Sequence, residues 1–142
     1  MKIDAQRGIV YLQMDDPFDV NKGKELIDKM LDHPDFRKGM STLWDIRGVD
    51  AASVTREHMR EMRMFNLGRE EKRGYGRMAI LVDSDINFGL SRMYHVVGDL
   101  PHIEMSVFRE LNEAEQWLDE SPFWPVEDLT NRPEGSSNSS DP

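Results

Sequence analysis

Residues 87–95 come nearest to catalytic chemistry by type and order. Ser91 lies in the run Gly89-Leu90-Ser91-Arg92-Met93, which resembles half of the Gly-x-Ser-x-Gly turn that exposes a nucleophilic serine. Met93 stands where that turn needs its second glycine, and the pattern places Ser91 inside a helix. We therefore predict a packing or solvent-facing serine. His95 has no partner that the sequence reveals.

His58 and Glu61 are one helical turn apart, a spacing at which two side chains could share a metal ion. Zinc sites need three or four converging ligands, and no second pair accompanies these two. Gly74-x-Gly76 lacks a third glycine and precedes a strand, so it predicts a turn and not a dinucleotide-binding loop. The chain has no cysteine, which excludes disulfides and thiolate chemistry. The sequence thus predicts no catalytic residue, no metal, no cofactor and no enzyme.

Several arginines are placed where they could meet. Arg56, Arg60 and Arg63 line one side of a predicted helix, and Arg92 could approach them from the next one. Glutamates lie between these arginines, so one interpretation is a solvent-exposed helix face with ordinary ion pairs. The other is a site for an anion or a lipid headgroup, because the guanidinium fork suits phosphate and carboxylate.

Methionine is abundant, with 10 residues, several of them on two central predicted helices. A methionine stripe at helical spacing can be core, or it can line an adaptable apolar pocket or partner groove. The wall candidates for such a pocket are Met59, Met62, Phe65, Phe88 and Met93. Arg63 and Arg92 would hold an acidic end of the ligand.

Alternating strand and helix patterns must position these side chains. Strand-like runs occupy residues 8–14, 41–46, 77–82 and 103–108, with a short run at 2–4 that pairs through a turn. Helical periodicity lies between them, with starts predicted at Thr55, at Ser84 or Asp85, and at Asn112. This alternation implies a mostly parallel α/β sheet of four or five strands with helices packed on it.

Length and charge set limits on function. The 142 residues suffice for one domain, and the formal net charge of −9 argues against general affinity for nucleic acid, which needs a basic face. The first residues contain no apolar signal core, and no run reaches the about 18 apolar residues that a membrane span needs. We expect a soluble, cytoplasmic protein.

The predicted organisation has three parts. Residues 1–120 form the α/β domain. Residues 121–129 include Phe123 and Trp124 and are predicted to dock on the body or on a second copy, which would give a homodimer. Residues 130–142 are rich in Pro, Gly, Ser, Asn and Asp, and they are predicted to be a disordered tail because they cannot bury enough apolar surface.

Five short motifs occur in a characteristic order. They are Leu43-Trp44-Asp45-Ile46-Arg47, Ala79-Ile80-Leu81-Val82, Phe88-Gly89-Leu90-Ser91-Arg92-Met93, Val107-Phe108-Arg109 and Glu113-Ala114-Glu115-Gln116-Trp117-Leu118. Over residues 1–120 the chain resembles the SpoIIAA-like proteins, small bacterial relatives of the STAS domain that are also grouped with SEC14-type lipid-binding domains. The resemblance implies a sheet with helices on one side, and a hydrophobic-ligand or regulatory role.

The better understood branch of that family, the anti-sigma-factor antagonists, carries a loop like Asp-Ser-Ser-Gly after the second parallel strand. A partner kinase phosphorylates a serine in it. The matching loop here is Asp50-Ala51-Ala52-Ser53-Val54-Thr55, which lacks the glycine and leaves Ser53 as the hydroxyl near the expected place. The resemblance therefore implies Ser53 as the regulatory residue, although the loop departs from the pattern.

Two functional hypotheses follow. The leading one is a non-enzymatic cytoplasmic protein that binds a small apolar or amphipathic, lipid-like ligand between the second and third helices and the sheet. The alternative is a STAS-type regulatory module that binds protein partners through residues 50–55.

Overall fold

One mixed sheet organises the chain, of which the computed structural model describes residues 1–83 and 100–125. Its strands are β1 (Lys2–Asp4), β2 (Ile9–Gln13), β3 (Ser41–Asp45), β4 (Gly76–Leu81) and β5 (Ile103–Phe108), in that spatial order. β1 pairs antiparallel with β2, and every later pair is parallel. The predicted mostly parallel α/β sheet is confirmed.

Four α-helices lie within the described ranges: α1 (Val20–Leu31), α2 (Arg56–Leu67), α3 (Glu70–Arg73) and α4 (Leu111–Asp119). A 3-10 turn occupies Ala51–Ser53. Thr55 caps α2 as predicted, whereas α4 begins one residue before the predicted cap Asn112, with Glu110 at the cap position and no side-chain cap bond. The helix predicted from Ser84 or Asp85 lies outside the described residues.

The helices cover both faces of the sheet. Alternation along β2 sends Val10 and Leu12 into the larger core, against which side chains of α1 and α2 pack. Ile9 faces the other way and belongs to a second core that includes Ala114 and Leu118 of α4. The one-sided arrangement implied by the resemblance is therefore wrong for α4. α1 and α2 connect parallel strands, and because such crossover connections are right-handed, both helices lie on one face of the sheet. α4 follows the last strand and connects no two strands, so this rule does not determine its face.

Polar contacts tie α4 to the first hairpin. Arg7 donates to both carboxylate oxygens of Asp119, at 3.1 and 2.7 Å, and the Tyr11 hydroxyl donates to Glu115 at 2.6 Å. Burial, and then the bond to Glu115, raise the pKa of Tyr11, while the bond to Asp119 raises the pKa of Arg7. The beginning and the end of the α/β domain are thus joined directly.

Residues 121–125, which follow α4, lie against the body of this chain. The rings of Phe123 and Tyr75 stack with centroids 5.8 Å apart. Trp124 lies so close to Gly8 that an added Cβ there would be 2.3 Å from the indole ring. Val126 and Leu129 of the predicted docking segment are outside the described residues, and dimerisation through this segment stays a prediction.

Candidate functional site

The carboxyl ends of the parallel strands meet at one edge of the sheet, which is where ligands and partners usually bind in open α/β folds. Asp15 and Asp16 follow β2, Asp45 ends β3, and Asp83 follows β4. The loop from β3 to α2, residues 46–55, crosses this edge and contains the segment that the resemblance assigns to regulation. We call residues 46–55 the β3–α2 loop.

Backbone bonds from the neighbouring loops hold the β3–α2 loop in place. The amide of Gly48 donates to Asp83 at 3.0 Å, and the amide of Asp50 donates to Asp16 at 3.2 Å. Val49 and Val54 are buried at the two ends of the segment. The loop is therefore anchored to the ends of β2 and β4 as well as to its own strand.

Within this anchored loop, Asp50 and Ser53 remain exposed. The carboxylate of Asp50 accepts the amide of Ala52 at 3.0 Å, and the hydroxyl of Ser53 donates to the carbonyl of Asp50 at 2.6 Å. The loop thus presents a serine hydroxyl in a defined position at the sheet edge.

Arg47 and Asp45 form a forked ion pair where the β3–α2 loop begins. The guanidinium donates to the two carboxylate oxygens at 3.0 and 2.9 Å. These bonds hold the pKa of Asp45 below its ordinary value and raise the pKa of Arg47. Both side chains are therefore ionised at neutral pH, and each neutralises the other.

His58 completes the start of α2. Its Nδ1 accepts the amide of Thr55 at 3.1 Å, while its own amide donates to the Thr55 hydroxyl at 3.0 Å. Glu61, the second member of the pair considered for a metal, accepts from Lys24 at 2.7 Å. Both residues of the pair thus have partners in the protein, and no group of three or more potential metal ligands occurs among the described residues.

A cleft with a volume of about 540 Å³ opens beside the β3–α2 loop. Residues 14–22 form one wall, and His58 and Glu61 of α2 form the other. Phe18 lies inside it with its ring 5.5 Å from that of His58. We call this the β2–α1 cleft; it joins the β3–α2 loop through the bond from Asp50 to Asp16.

Three of the predicted pocket residues lie together on α2. Met59, Met62 and Phe65 are partly buried against the larger core. Met62 approaches Gly23 of α1, and the Phe65 ring lies 3.4 Å from the guanidinium of Arg69.

The remaining pocket candidates are Arg63, Phe88, Arg92 and Met93. Arg63 is half-buried, and Phe88, Arg92 and Met93 lie outside the described residues, so the ligand pocket stays a prediction. Ser91 and His95 lie in the same undescribed stretch. On the exposed arginine face, Arg60 pairs with Glu57 at 2.7 Å, as the solvated-face interpretation expects.

Sequence reasoning missed a buried polar cluster behind β3. Arg73 is 1% exposed and donates to Thr42 at 2.6 Å and to Asn66 at 3.2 Å. Burial lowers the pKa of Arg73 to about 10, so it remains a cation at neutral pH. Burial, and then Arg73, also lower the pKa of His102, whose Nδ1 lies 3.3 Å from Glu70. Arg73 follows charged neighbours in the sequence and has no apolar context that would have marked it as core.

A family model, SpoIIAA-like, matches residues 9–119. The chain belongs to the SpoIIAA-like family. The matched range contains β2 to β5 and all four described helices, and the resemblance inferred from the five motifs is confirmed. No curated protein and no solved structure matches the chain significantly. None of the described helices of this SpoIIAA-like protein is long and apolar enough to cross a membrane.

Proposed function

We propose that this SpoIIAA-like protein is a non-enzymatic regulatory module that binds a protein partner through the β3–α2 loop. The observation that carries the proposal is the anchoring of that loop. Asp83 and Asp16 fix its backbone from two sides, and Ser53 is exposed to solvent. A preorganised loop binds a partner at a smaller ordering cost than a mobile one.

The surroundings of Ser53 suit a switch in the partner's affinity. A phosphate on Ser53 would add about −1.5 to −2 charges at pH 7 to a sheet edge that already carries Asp16, Asp50 and Asp83. Arg47 is the basic group of this loop, and it is engaged with Asp45. Modification would therefore make the edge more acidic and change which partner surface it accepts.

The ligand hypothesis receives less support from the described residues. The apolar side chains predicted to line its pocket on α2 are partly buried against the larger core, and the described cleft nearby is lined largely by polar side chains. We retain the cytoplasm as the proposed compartment, since a chain without cysteine is suited to it.

The test is capture of partners from a lysate of the source organism with three baits. They are the unmodified chain, Ser53→Ala and Ser53→Asp. We expect the unmodified chain and Ser53→Ala to retain a shared partner that Ser53→Asp loses or exchanges, because only the last adds charge at the loop.

The matched control for the Ser53 variants is a substitution that adds no charge at the β3–α2 loop. Glu113→Gln changes an exposed residue of α4, on the other face of the sheet, and should capture the same partner as the unmodified chain. Circular dichroism of each bait verifies folding. An identical partner set for all the baits would count against regulation through Ser53.

A further inference from the structure

The β2–α1 cleft is acidic. Its lining carries the four carboxylates Asp15, Asp16, Asp19 and Glu61 against one ammonium group, that of Lys22. A concave surface lined by one sign of charge concentrates the electrostatic potential and attracts the opposite charge. The shape and charge of the cleft thus favour a cationic occupant.

Among the described residues, two of these carboxylates have no cationic partner. Glu61 is paired with Lys24, and Asp19 caps α1 by accepting two backbone amides. Asp15 accepts the amide of the Gln13 side chain, at 3.1 Å, and Asp16 accepts the backbone amide of Asp50, at 3.2 Å. Within the described ranges no lysine, arginine or histidine forms an ion pair with either of them.

The cleft also offers an apolar surface for the stem of a long basic side chain. Phe18 presents an aromatic ring, and Pro17 and Val20 flank it. Lysine and arginine side chains pack their methylene groups on apolar surface, and the charged head gains from an aromatic face within about 6 Å. The volume of about 540 Å³ is larger than a single metal ion needs and leaves room for a long basic side chain.

The cleft is continuous with the contact surface of the proposed function. Asp16 lines the cleft and also holds the backbone of the β3–α2 loop through Asp50. A partner seated on that loop would therefore have the cleft within reach of its next residues.

We propose that the β2–α1 cleft receives a lysine or arginine side chain from a basic segment of the protein partner. This inference rests on the proposed function and names the chemistry of the partner. Asp15 and Asp16 accept the cationic head, and Phe18 supports its stem.

The first test uses a short synthetic peptide with two arginines as the probe, and the same peptide with citrulline in their place as the neutral control. Binding to the ¹⁵N-labelled full chain is followed by amide chemical shifts. We expect the arginine peptide to shift amide signals of residues 14–16 and 18–22 and of His58, and the citrulline peptide to leave them in place. Shifts of equal size with both peptides, or shifts located elsewhere, would refute the proposal.

A charge-neutral variant gives the second test. The double substitution Asp15→Asn with Asp16→Asn keeps the shape of the cleft and the acceptor for the Asp50 amide. We expect it to weaken binding of the arginine peptide about fivefold. Asp35→Asn with Glu113→Gln removes two charges from exposed positions outside the cleft and should change affinity far less. Equal weakening by both variants would show general attraction to an acidic protein and would overturn the proposal.

The capture experiment separates this inference from the proposed function. Loss of the partner by the Asp15→Asn/Asp16→Asn bait supports both. If that bait keeps the partner while Ser53→Asp loses it, the cleft inference fails and the loop function stands. If neither variant changes the captured set, both fail.

Discussion

Replacing Gly8 by alanine should reveal how strongly the segment after α4 is held on the domain. Gly8 has φ +72°, a left-handed conformation that costs an L-residue about 1–2 kcal/mol. The new Cβ would also stand 2.3 Å from the ring of Trp124, well inside the 3.5–4.0 Å of a carbon–carbon contact. The indole must therefore leave its place.

The size of the second contribution follows from the burial of the indole. Trp124 is half-buried, and a tryptophan buries of the order of 200 Å² when it is enclosed. Exposing about half of that area costs about 2.5 kcal/mol at 25 cal/mol per Å². Together with the backbone strain, Gly8→Ala should lower the free energy of unfolding by about 4 kcal/mol.

A double-mutant cycle separates the two contributions. In a Trp124→Ala background the ring is absent, so Gly8→Ala should cost only the strain of about 1–2 kcal/mol. Gly48→Ala is a matched control, since Gly48 has φ +92° but nothing lies within 4 Å of an added Cβ. It should cost the strain alone in either background.

Urea unfolding with linear extrapolation measures all these changes. The expected result is a coupling energy of about 2.5 kcal/mol between Gly8 and Trp124, and none between Gly48 and Trp124. If Gly8→Ala costs the same with and without the tryptophan, the ring does not rest on Gly8 and the reasoning is wrong.

Four further outcomes are expected. Burial and Arg73 lower the pKa of His102 below its ordinary 6.5. As the pH drops, His102 therefore binds a proton in the unfolded chain more readily than in the folded one. The free energy of unfolding should fall between pH 7.5 and pH 5.5, by at most about 1.4 kcal/mol from this residue. His102→Gln should remove that difference from the pH dependence of urea unfolding, and an unchanged slope would contradict it. Arg7→Gln should cost about 0.5–1 kcal/mol, and nearly nothing further when combined with Asp119→Asn; additive losses would argue against their pairing. If the chain forms a homodimer through its apolar segment, truncation after Glu120 should halve the sedimentation mass, and an unchanged mass refutes it. If it binds a lipid-like ligand, native mass spectrometry should detect an adduct; a clean apo mass with no thermal shift against fatty acids would exclude that function.

The strands were predictable because their patterns are local. Residues 103–108 were predicted as a strand and form β5, and the predicted runs at 8–14 and 77–82 differ from β2 and β4 by one residue at the ends. The N-cap of α2 at Thr55 was also predictable from the sequence, because helix capping depends on residues within one turn. Such features need no knowledge of the rest of the chain.

The neighbours of each helix were not predictable in the same way. The spacing of Met59, Met62 and Phe65 shows that they share a face of α2, but it does not say which element covers that face. The placement of α4 was missed for the same reason. Arg73 was not expected in the interior because partners distant in sequence, above all Thr42, decide its burial.

The β3–α2 loop combines a feature that the sequence predicted with contacts that it did not predict. Its serine was identified from the resemblance, yet the bonds that anchor it come from Asp16 and Asp83, which are 34 and 35 residues away from their partners in sequence. A single sequence does not pair such residues, because many aspartates could serve equally well. The geometry of this edge therefore had to come from the structure.

The sequential strand order also affects how the protein forms during synthesis. Because each strand lies beside its chain neighbour, the sheet can be extended in the order in which the ribosome delivers it. The bonds of Arg7 and Tyr11 are different, since their acceptors on α4 are 112 and 104 residues further along. The first hairpin thus emerges early but cannot make these contacts until almost the entire domain has left the exit tunnel. A nascent chain stalled before α4 would expose the apolar surface of Ile9 and Leu43 and would be a natural target for chaperones.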